Sequence, residues 1–315
     1  MDIRNGSQVT AFVLSGLTND EKLIPFLFVF FLLAYLATLV GNIGLIIIVL
    51  SASKLHTPMY YFLSCLAVVD FFYSSNVTPK LITDLISFKK IISFNGCVLQ
   101  LFFTITMSAT EVPLLSSMSY DRYAAVCHPL HYISIMTKKK CLFLVCLSIF
   151  AGFLASSVLT ICVFSLPYCG PNFIDHFYCD VPFVLQLSCS ETLHCSFLAI
   201  FLIASSTLLF LSIIVASYVL ILSTILHIKS SQGRQKAFST CSSHLMCVFI
   251  FYTATLFTFM RSPSKPMEKQ DKVASVVYLV VTPMLNPFIY SLRNQEVKRA
   301  IMQIFFKSTH LEKDS

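Results

Sequence analysis

Seven separate apolar stretches, a sparse charge content and a lopsided placement of basic residues predict an all-α membrane protein: a seven-transmembrane-helix bundle followed by a short C-terminal amphipathic helix. Of the 315 residues, 56% are hydrophobic and 12% charged, and the mean hydropathy is +0.78. A soluble chain carries roughly twice that share of charge. A hydrocarbon core about 30 Å thick needs about 20 mostly apolar residues per helix. Residues 23–51, 58–86, 97–121, 141–165, 196–226, 237–260 and 273–292 meet that need. The chain therefore divides into an outer tail of residues 1–22, a bundle of 23–292 and an inner tail of 293–315.

Residues 1–22 contain no compact apolar core of the kind a cleavable signal peptide needs, so the first span is expected to act as the insertion signal. With the N-terminus outside, the short inner links gather Lys54, Arg122, Lys138, Lys139, Lys140, Lys229, Arg234 and Lys236, while bases and acids balance on the outer side. The net charge of +7 is then explained by topology and contact with anionic lipid, and nucleic-acid binding is not needed to account for it. Asn5-Gly6-Ser7 is an accessible glycosylation sequon on the outer tail. Asn76-Val77-Thr78 has the same pattern but falls inside the second span and is expected to stay unmodified.

Ionisable groups within spans are expensive, costing several kcal/mol unless paired or hydrated, and so mark function. Asp70 lies mid-span in "LSCLAVVDFFYSS", and Glu111 lies mid-span in "TITMSATEVPLL", where Thr104, Met107 and Ser108 share its helical face. Two carboxylates without a fixed basic partner suggest a bound cation or a shared proton. A sodium- or proton-linked conformational lock fits better than an intramembrane aspartyl dyad, because no second motif supports an enzyme. Transporters are commonly built from duplicated halves, and seven spans without visible duplication weigh against that class. Asn42 and Asn286 lie at comparable depth in the first and seventh spans.

Pro113, Pro283 and Pro287 interrupt the third and seventh spans and free backbone carbonyls. In "TPMLNPFIY", Asn286 is expected to bond the backbone freed beside Pro287, making a hinge next to the acids. Asp121–Arg122 closes the third span at its inner end. There the acid can hold the arginine at rest, and the released guanidinium can reach Tyr218 or a partner's backbone. After the seventh span, "NQEVKRAIMQIFF" places Val297, Ile301, Ile304 and Phe305 at helical spacing, as in a helix lying on the inner leaflet.

None of the twelve cysteines has the paired spacing of a zinc site, and no metal site is expected. Cys97, Cys169, Cys179 and Cys189 face an oxidising compartment and are expected to bridge. Cys65, Cys127, Cys141, Cys146, Cys241 and Cys247 read as small buried hydrophobes.

These residues closely resemble a known family. Asn42 in "GN", Asp70, Cys97, "DRY" at 121–123, Tyr218 and "NPFIY" at 286–290 are similar to the marks of rhodopsin-like G-protein-coupled receptors. "LHTPMYYFLS" at 55–64, "MSYDRYAAVCHPLHY" at 118–132, "KAFSTCSSH" at 236–244 and "PMLNPFIYSLRN" at 283–294 resemble the vertebrate olfactory receptors more specifically, over essentially the whole chain. The resemblance implies a plasma-membrane receptor with its N-terminus outside. It implies bridges Cys97–Cys179 and Cys169–Cys189, and a cation site of Asp70 and Glu111 that would take sodium, with no other cofactor. It also implies coupling to a heterotrimeric G protein of the stimulatory olfactory type through Asp121, Arg122, Tyr123, Tyr218, His244, Asn286, Pro287 and Tyr290. The chain departs from related receptors in three places. Thr104 stands where amine receptors have an aspartate, Val280 stands where opsins have their lysine, and the sixth span carries "FYTAT" without Trp or Pro, leaving Tyr252 as the rotamer switch.

A small volatile ligand needs an enclosed, mostly apolar cavity with a few polar groups. The outer halves of the third, fifth, sixth and seventh spans offer Leu101, Thr104, Ile105, Ser108, Leu202, Ser206, Tyr252, Thr255, Leu256, Phe259, Val276 and Leu279. No charged side chain falls in this set, which favours a neutral odorant bonding to Thr or Ser hydroxyls. His176, in the loop before the fifth span, reads as a solvated histidine.

Overall fold

The computed structural model describes residues 9–169, 172–259, 269–293, 296–300 and 302, with only the backbone at 236, 239, 240, 257–259, 269, 270, 292 and 293. Among the described residues, seven long helices follow one another: α1 (Ile24–Ser51), α2 (Pro58–Ile86), α3 (Phe94–Cys127), α4 (Lys138–Phe164), α5 (Leu193–Leu226), α6 (Ser231–Phe259) and α7. The last runs over Lys269–Val276, a π-helical turn Val277–Val281, and Thr282–Arg293. Asn5 and the greater part of the predicted inner-leaflet helix lie outside the described residues.

Polar signals at the helix ends extend two helices beyond their apolar stretches. Ser93 Oγ accepts from Gly96 N (3.1 Å), so α3 begins before Cys97. Thr137 Oγ1 accepts from Lys140 N (3.3 Å), so α4 begins with the basic triplet. Pro58 opens α2, where its missing N–H would have had no partner.

Among the described residues, α1, α3, α4, α5 and the segment Asp271–Ser291 are long and apolar enough to cross a membrane by themselves. α2 is less apolar because it turns Asp70, Ser74, Thr78 and Asp84 into the bundle, where all four are buried. α6 keeps a shorter apolar stretch, Cys241–Leu256.

α3 runs through the middle of the bundle, packed against α2, α4 and α5. Its approach to α4 depends on small residues. A Cβ on Gly152 would lie 2.6 Å from the Thr106 carbonyl oxygen, and Thr106 Oγ1 donates to Ser156 Oγ at 2.7 Å one turn further along. Such small-residue contacts allow helices to close in lipid, where apolar burial gives little drive.

The α1–α7 contact corrects an expectation. Pro287 has no N–H for the carbonyl of Pro283, four residues earlier. Asn42 of α1 supplies the donor instead: its Nδ2 lies 3.1 Å from Pro283 O and 2.9 Å from Thr38 O. Asn286 does not repair this backbone, because its amide donates to Asp70 Oδ2 at 2.9 Å. Gly41 makes the approach possible, since a Cβ there would sit 2.9 Å from Pro287 Cγ.

The end of the bundle that carries the cysteine-rich loop, here called the outer end, is roofed by a sheet that hydropathy did not indicate. β1 (Ala11–Leu14) is its middle strand, antiparallel to β2 (Ile91–Ser93) and parallel to β3 (Phe173–Ile174). Part of the predicted outer tail is thus a packed element. Phe12 and Leu14 alternate inward and are almost fully buried against Ile92, Cys97, Val163 and Ile174. Lys90 Nζ reaches Ser15 O (3.2 Å) and Asn19 Oδ1 (3.3 Å), while Lys272 Nζ bonds Ser15 Oγ (2.8 Å), Gly16 O (2.9 Å) and Asp175 Oδ1 (3.3 Å). Both lysines close over Gly16, whose φ of +75° suits a residue without a Cβ.

Three disulfides tie this end together. Cys97–Cys179 joins α3 to the loop and Cys169–Cys189 closes the loop on itself. Cys162–Cys195, with Cα atoms 5.8 Å apart, joins the outer ends of α4 and α5; hydropathy had placed Cys162 inside the fourth span. The six cysteines expected to be small buried hydrophobes are unbridged, but only Cys141, Cys241 and Cys247 are buried; Cys65 and Cys127 are half-buried and Cys146 is exposed, on a face of α4 turned away from the bundle. At the inner end, residues 296–300 are helical, with Val297 and Ala300 buried against the bundle core and Glu296, Lys298 and Arg299 exposed.

Two measurements check this packing. Gly152→Val places two methyl groups against the α3 backbone and is expected to cost about 1–3 kcal/mol, read as a drop of several degrees in the thermal midpoint of the detergent-solubilised protein. Non-reducing peptide mapping is expected to recover one linked fragment joining the segments around Cys162 and Cys195. In Cys195→Ser, the Cys162 thiol becomes available to alkylation.

Candidate functional site

The residues expected to act together form a sequence of polar layers along the bundle axis. Below the roof, the loop residue His176 is buried, contrary to its reading as a solvated histidine. Its Nδ1 accepts from Phe177 N at 2.9 Å, and its ring packs tilted against Phe177 and Phe183 and edge-on to Tyr178. An accepting Nδ1 assigns the neutral tautomer's proton to Nε2, which then donates to Ser275 Oγ (3.3 Å), whose own hydroxyl donates to Asp271 O (3.1 Å). Tyr178 donates to Asp180 Oδ2 at 3.1 Å, and burial, with the Asp180 carboxylate beside it, holds this phenol well above its ordinary pKa. Cys179 N donates to Gln100 Oε1 (2.9 Å), fixing the bridged loop to α3.

The residues proposed to line a ligand cavity fall into different environments. Leu101 is buried with Cys97, Val163, Phe183 and Val184, and Ile105 packs on the same cluster between α3, α4 and the loop. Thr104 Oγ1 donates to Gln100 O (2.7 Å) and accepts from Asn76 Nδ2 (2.9 Å), so it faces α2. That contact and a bond to Gln100 O (2.9 Å) engage the Asn76 amide nitrogen inside the bundle. Leu279 is buried beside Tyr73, Val77, Phe177 and Tyr178, with Val276 packed against them. Ser108 Oγ bonds the Tyr278 hydroxyl. Tyr252 is buried with its hydroxyl unpartnered, whereas Thr255 spends its hydroxyl on Phe251 O (2.8 Å). Leu202 and Ser206 are half-buried on α5, and Ser206 Oγ bonds Ile203 O (3.1 Å) of its own helix. Leu256 is 46% exposed, which removes it from an enclosed cavity. The Phe259 side chain lies outside the described residues.

Tyr278, Tyr73, Asn76 and Gln100 do not figure in the sequence-derived set, yet they connect α2, α3 and α7 around it. Asn76 carries a usable signal, since an amide in mid-span requires a partner. Tyr278 has no such signal, because a tyrosine near a span end is ordinary.

One layer deeper, Asp70, Glu111 and Asn286 meet. Asn286 bonds Asp70 Oδ2 and faces Glu111, while Asp70 Oδ1 and Glu111 Oε1 are buried without partners. Two orphaned carboxylate oxygens beside the Asn286 amide make a donor set suited to a small hard cation.

At the inner end, Tyr218 of α5 and His244 of α6 bond through Oη and Nδ1 at 2.7 Å, with rings stacked 5.8 Å apart. Arg122 lies within electrostatic reach of both, and its Nη2 is buried without a hydrogen-bond partner. The expected hold of Asp121 on Arg122 is not how the acid is engaged. Asp121 Oδ1 accepts from the Tyr132 hydroxyl at 2.7 Å, and no ion pair joins Asp121 to Arg122 among the described residues. Burial, together with the Asp121 charge, pushes the Tyr132 phenol far above its ordinary pKa, so it remains a donor at any physiological pH. Tyr123 turns outward to His128 (3.0 Å), and Tyr290 is buried with its hydroxyl unpartnered.

Comparison with known proteins adds the family. The family model described as "Olfactory receptor" matches residues 31–308. Mouse olfactory receptor 5B21 is 49% identical over 303 residues, covering 96% of this chain and 95% of its own. Human olfactory receptor 5B12 is 46% identical over 306 residues, covering 97% and 98%. Human olfactory receptor 8H3 is 48% identical over 305 residues, covering 96% and 97%. Relatives this similar over nearly their full length, together with the seven-helix fold and the polar layers just described, establish that the chain belongs to the olfactory receptor family of G-protein-coupled receptors.

Proposed function

We propose that this odorant receptor binds a small, neutral volatile in the outer half of its bundle and activates a heterotrimeric G protein of the stimulatory olfactory type, raising cAMP. The reading places it in the plasma membrane with its N-terminus outside. The observation that carries it is the inner layer, where a buried guanidinium nitrogen of Arg122 lacks a partner beside the Tyr218–His244 bond that ties α5 to α6. A buried, unmade charged donor costs free energy, so an arrangement that supplies it with an acceptor competes with the resting one. Movement of α6 and α7 opens a cleft in which Arg122 can meet Tyr218 or a backbone carbonyl of the G protein.

Neutrality of the ligand follows from the side chains around the outer half. Thr104, Ser108, Tyr252, Thr255 and Tyr278 provide hydroxyls there, and the carboxylates of Asp70 and Glu111 lie deeper. In this reading a sodium ion or a proton between Asp70 Oδ1 and Glu111 Oε1 stabilises the resting packing around Asn286. The odorant acts by population shift, and its effect is limited by how much better it binds the active arrangement.

A cAMP reporter in cells co-expressing the olfactory G protein, normalised to surface receptor, tests the reading with a panel of neutral volatiles. Arg122→Ala is expected to abolish the response at normal surface level. Tyr132→Phe is expected to lower the maximal response several-fold while leaving the half-maximal concentration within about twofold, because it loosens the inner loop and not the ligand's surroundings. A response that survives Arg122→Ala would overturn the switch, and an odorant-driven ion flux independent of G protein would favour a transporter.

A further inference from the structure

The layer between the roof and the carboxylates contains hydroxyls that the packing leaves incomplete. Tyr278 sits in the π-helical turn Val277–Val281 of α7, with its hydroxyl bonded to Ser108 Oγ of α3. Its ring meets Tyr73 of α2 edge-on at 5.6 Å and tilts against Phe251 of α6 at 5.7 Å. One side chain therefore touches α2, α3 and α6 from the one irregular turn of α7, and such π turns recur where helices have functional work.

Tyr73 is fully buried, and its hydroxyl lies near that of Tyr278 without a hydrogen bond of normal geometry. Tyr252, in the turn next to Phe251, is likewise buried with a free hydroxyl, and all three phenols lie within electrostatic reach of Glu111. Buried hydroxyls without partners are uncommon and call for a missing group.

The missing group's chemistry follows from what these hydroxyls can do. A phenol has one proton to donate. Tyr73 and Tyr252 each hold that proton unused, and Ser108 and Tyr278 share one bond in which either can be the donor. A phenol oxygen can also accept, but its ring draws in the oxygen's lone pair and makes the hydroxyl a better donor than acceptor, so a ligand atom arriving here meets mainly donors. The group that fits best is a strong hydrogen-bond acceptor, which need not spend a hydrogen on these weakly accepting oxygens.

We propose that the hydroxyls of Tyr73, Tyr278 and Ser108 anchor the polar end of the odorant, and that they select a carbonyl oxygen, as in an aldehyde, ketone or ester, over an alcohol or a hydrocarbon. The carbonyl oxygen accepts a hydrogen bond from the Tyr73 hydroxyl and draws the Tyr278 hydroxyl away from Ser108. Releasing that bond frees the π turn from α3, so ligand contact acts on α7 directly, two turns before Asn286 and Pro287. The Ser108–Tyr278 bond is the latch, and the carbonyl is what opens it. This inference rests on the odorant-receptor reading above.

Its test uses the full-length receptor in the cAMP reporter, with surface labelling for each variant. The probes are straight-chain volatiles of matched length: an aldehyde, a methyl ketone, an ester, an alcohol and an alkane. Wild type is expected to respond to the carbonyl compounds at concentrations roughly three- to tenfold lower than to the alcohol, the margin of one neutral hydrogen bond. Tyr73→Phe keeps the ring and removes the donor, so it is expected to erase that margin while leaving the weaker ligands unchanged. Tyr278→Phe and Ser108→Ala are expected to raise odorant-free cAMP several-fold, because either breaks the latch.

Equal losses for carbonyl compounds and alkane in Tyr73→Phe would make the tyrosine a packing residue and overturn the ligand class. Unchanged basal signalling in both latch variants would overturn the latch. If no volatile in the panel activates the wild type, the odorant reading itself fails and takes the ligand class with it. Basal signalling in Tyr278→Phe and Ser108→Ala still decides the latch in that case.

Discussion

The carbonyl that Pro287 leaves without its helical partner governs how this bundle is assembled. In a soluble protein, water could satisfy that carbonyl. Inside a bilayer each unmade backbone bond costs several kcal/mol, so a protein donor has to come from another helix. Asn42 of α1 provides it, and Gly41 lets α1 come close enough to do so. With the backbone repaired from outside α7, Asn286 is free to turn toward α2 and bond Asp70. One missing N–H thus fixes the mutual positions of α1, α2 and α7 and brings an amide into the carboxylate layer.

The same axis contains groups that are not satisfied. Asp70 Oδ1, Glu111 Oε1, the hydroxyls of Tyr73, Tyr252 and Tyr290, His244 Nε2 and Arg122 Nη2 are all buried without partners. Each deficit destabilises this packing relative to another that would make the bond. A core optimised only for stability would not accumulate them along one line. They extend from the layer of Tyr73 and Tyr252 to Arg122 at the inner end through groups that each gain by rearranging, which is the physical condition for a bistable element.

The outer end is built in the opposite sense. Three disulfides, a three-stranded sheet and two lysines closing on one glycine turn leave little freedom above α3, α4 and α5. His176 and Ser275 link this roof to α7. In the proposed reading, a roof held this firmly leaves α6 as the helix free to respond to a ligand, with α7 following through its contacts to the roof. Along α3, close packing against α4 through Gly152 and Ser156 gives the remaining helices a fixed reference.

Much of this was determined by the sequence alone, because the membrane imposes a simple rule. A helix must be apolar over about 20 residues, and a polar residue inside it must have a reason. That rule located the seven helices and singled out Asn42, Asp70, Glu111, Asn286 and Arg122, and the bridging of the four outer cysteines followed from their compartment. What it could not determine is which donor meets which acceptor. Only the tertiary structure decided that Asn42, and not Asn286, repairs Pro283, that Tyr132 takes Asp121, that Cys162 bridges Cys195, and that Ala11–Leu14 becomes a middle strand. These pairings join residues far apart in the chain, and their partners are ordinary residue types that become special only by position. Hydropathy reports how a residue partitions between water and lipid, whereas a hydrogen bond depends on distance and direction across helices.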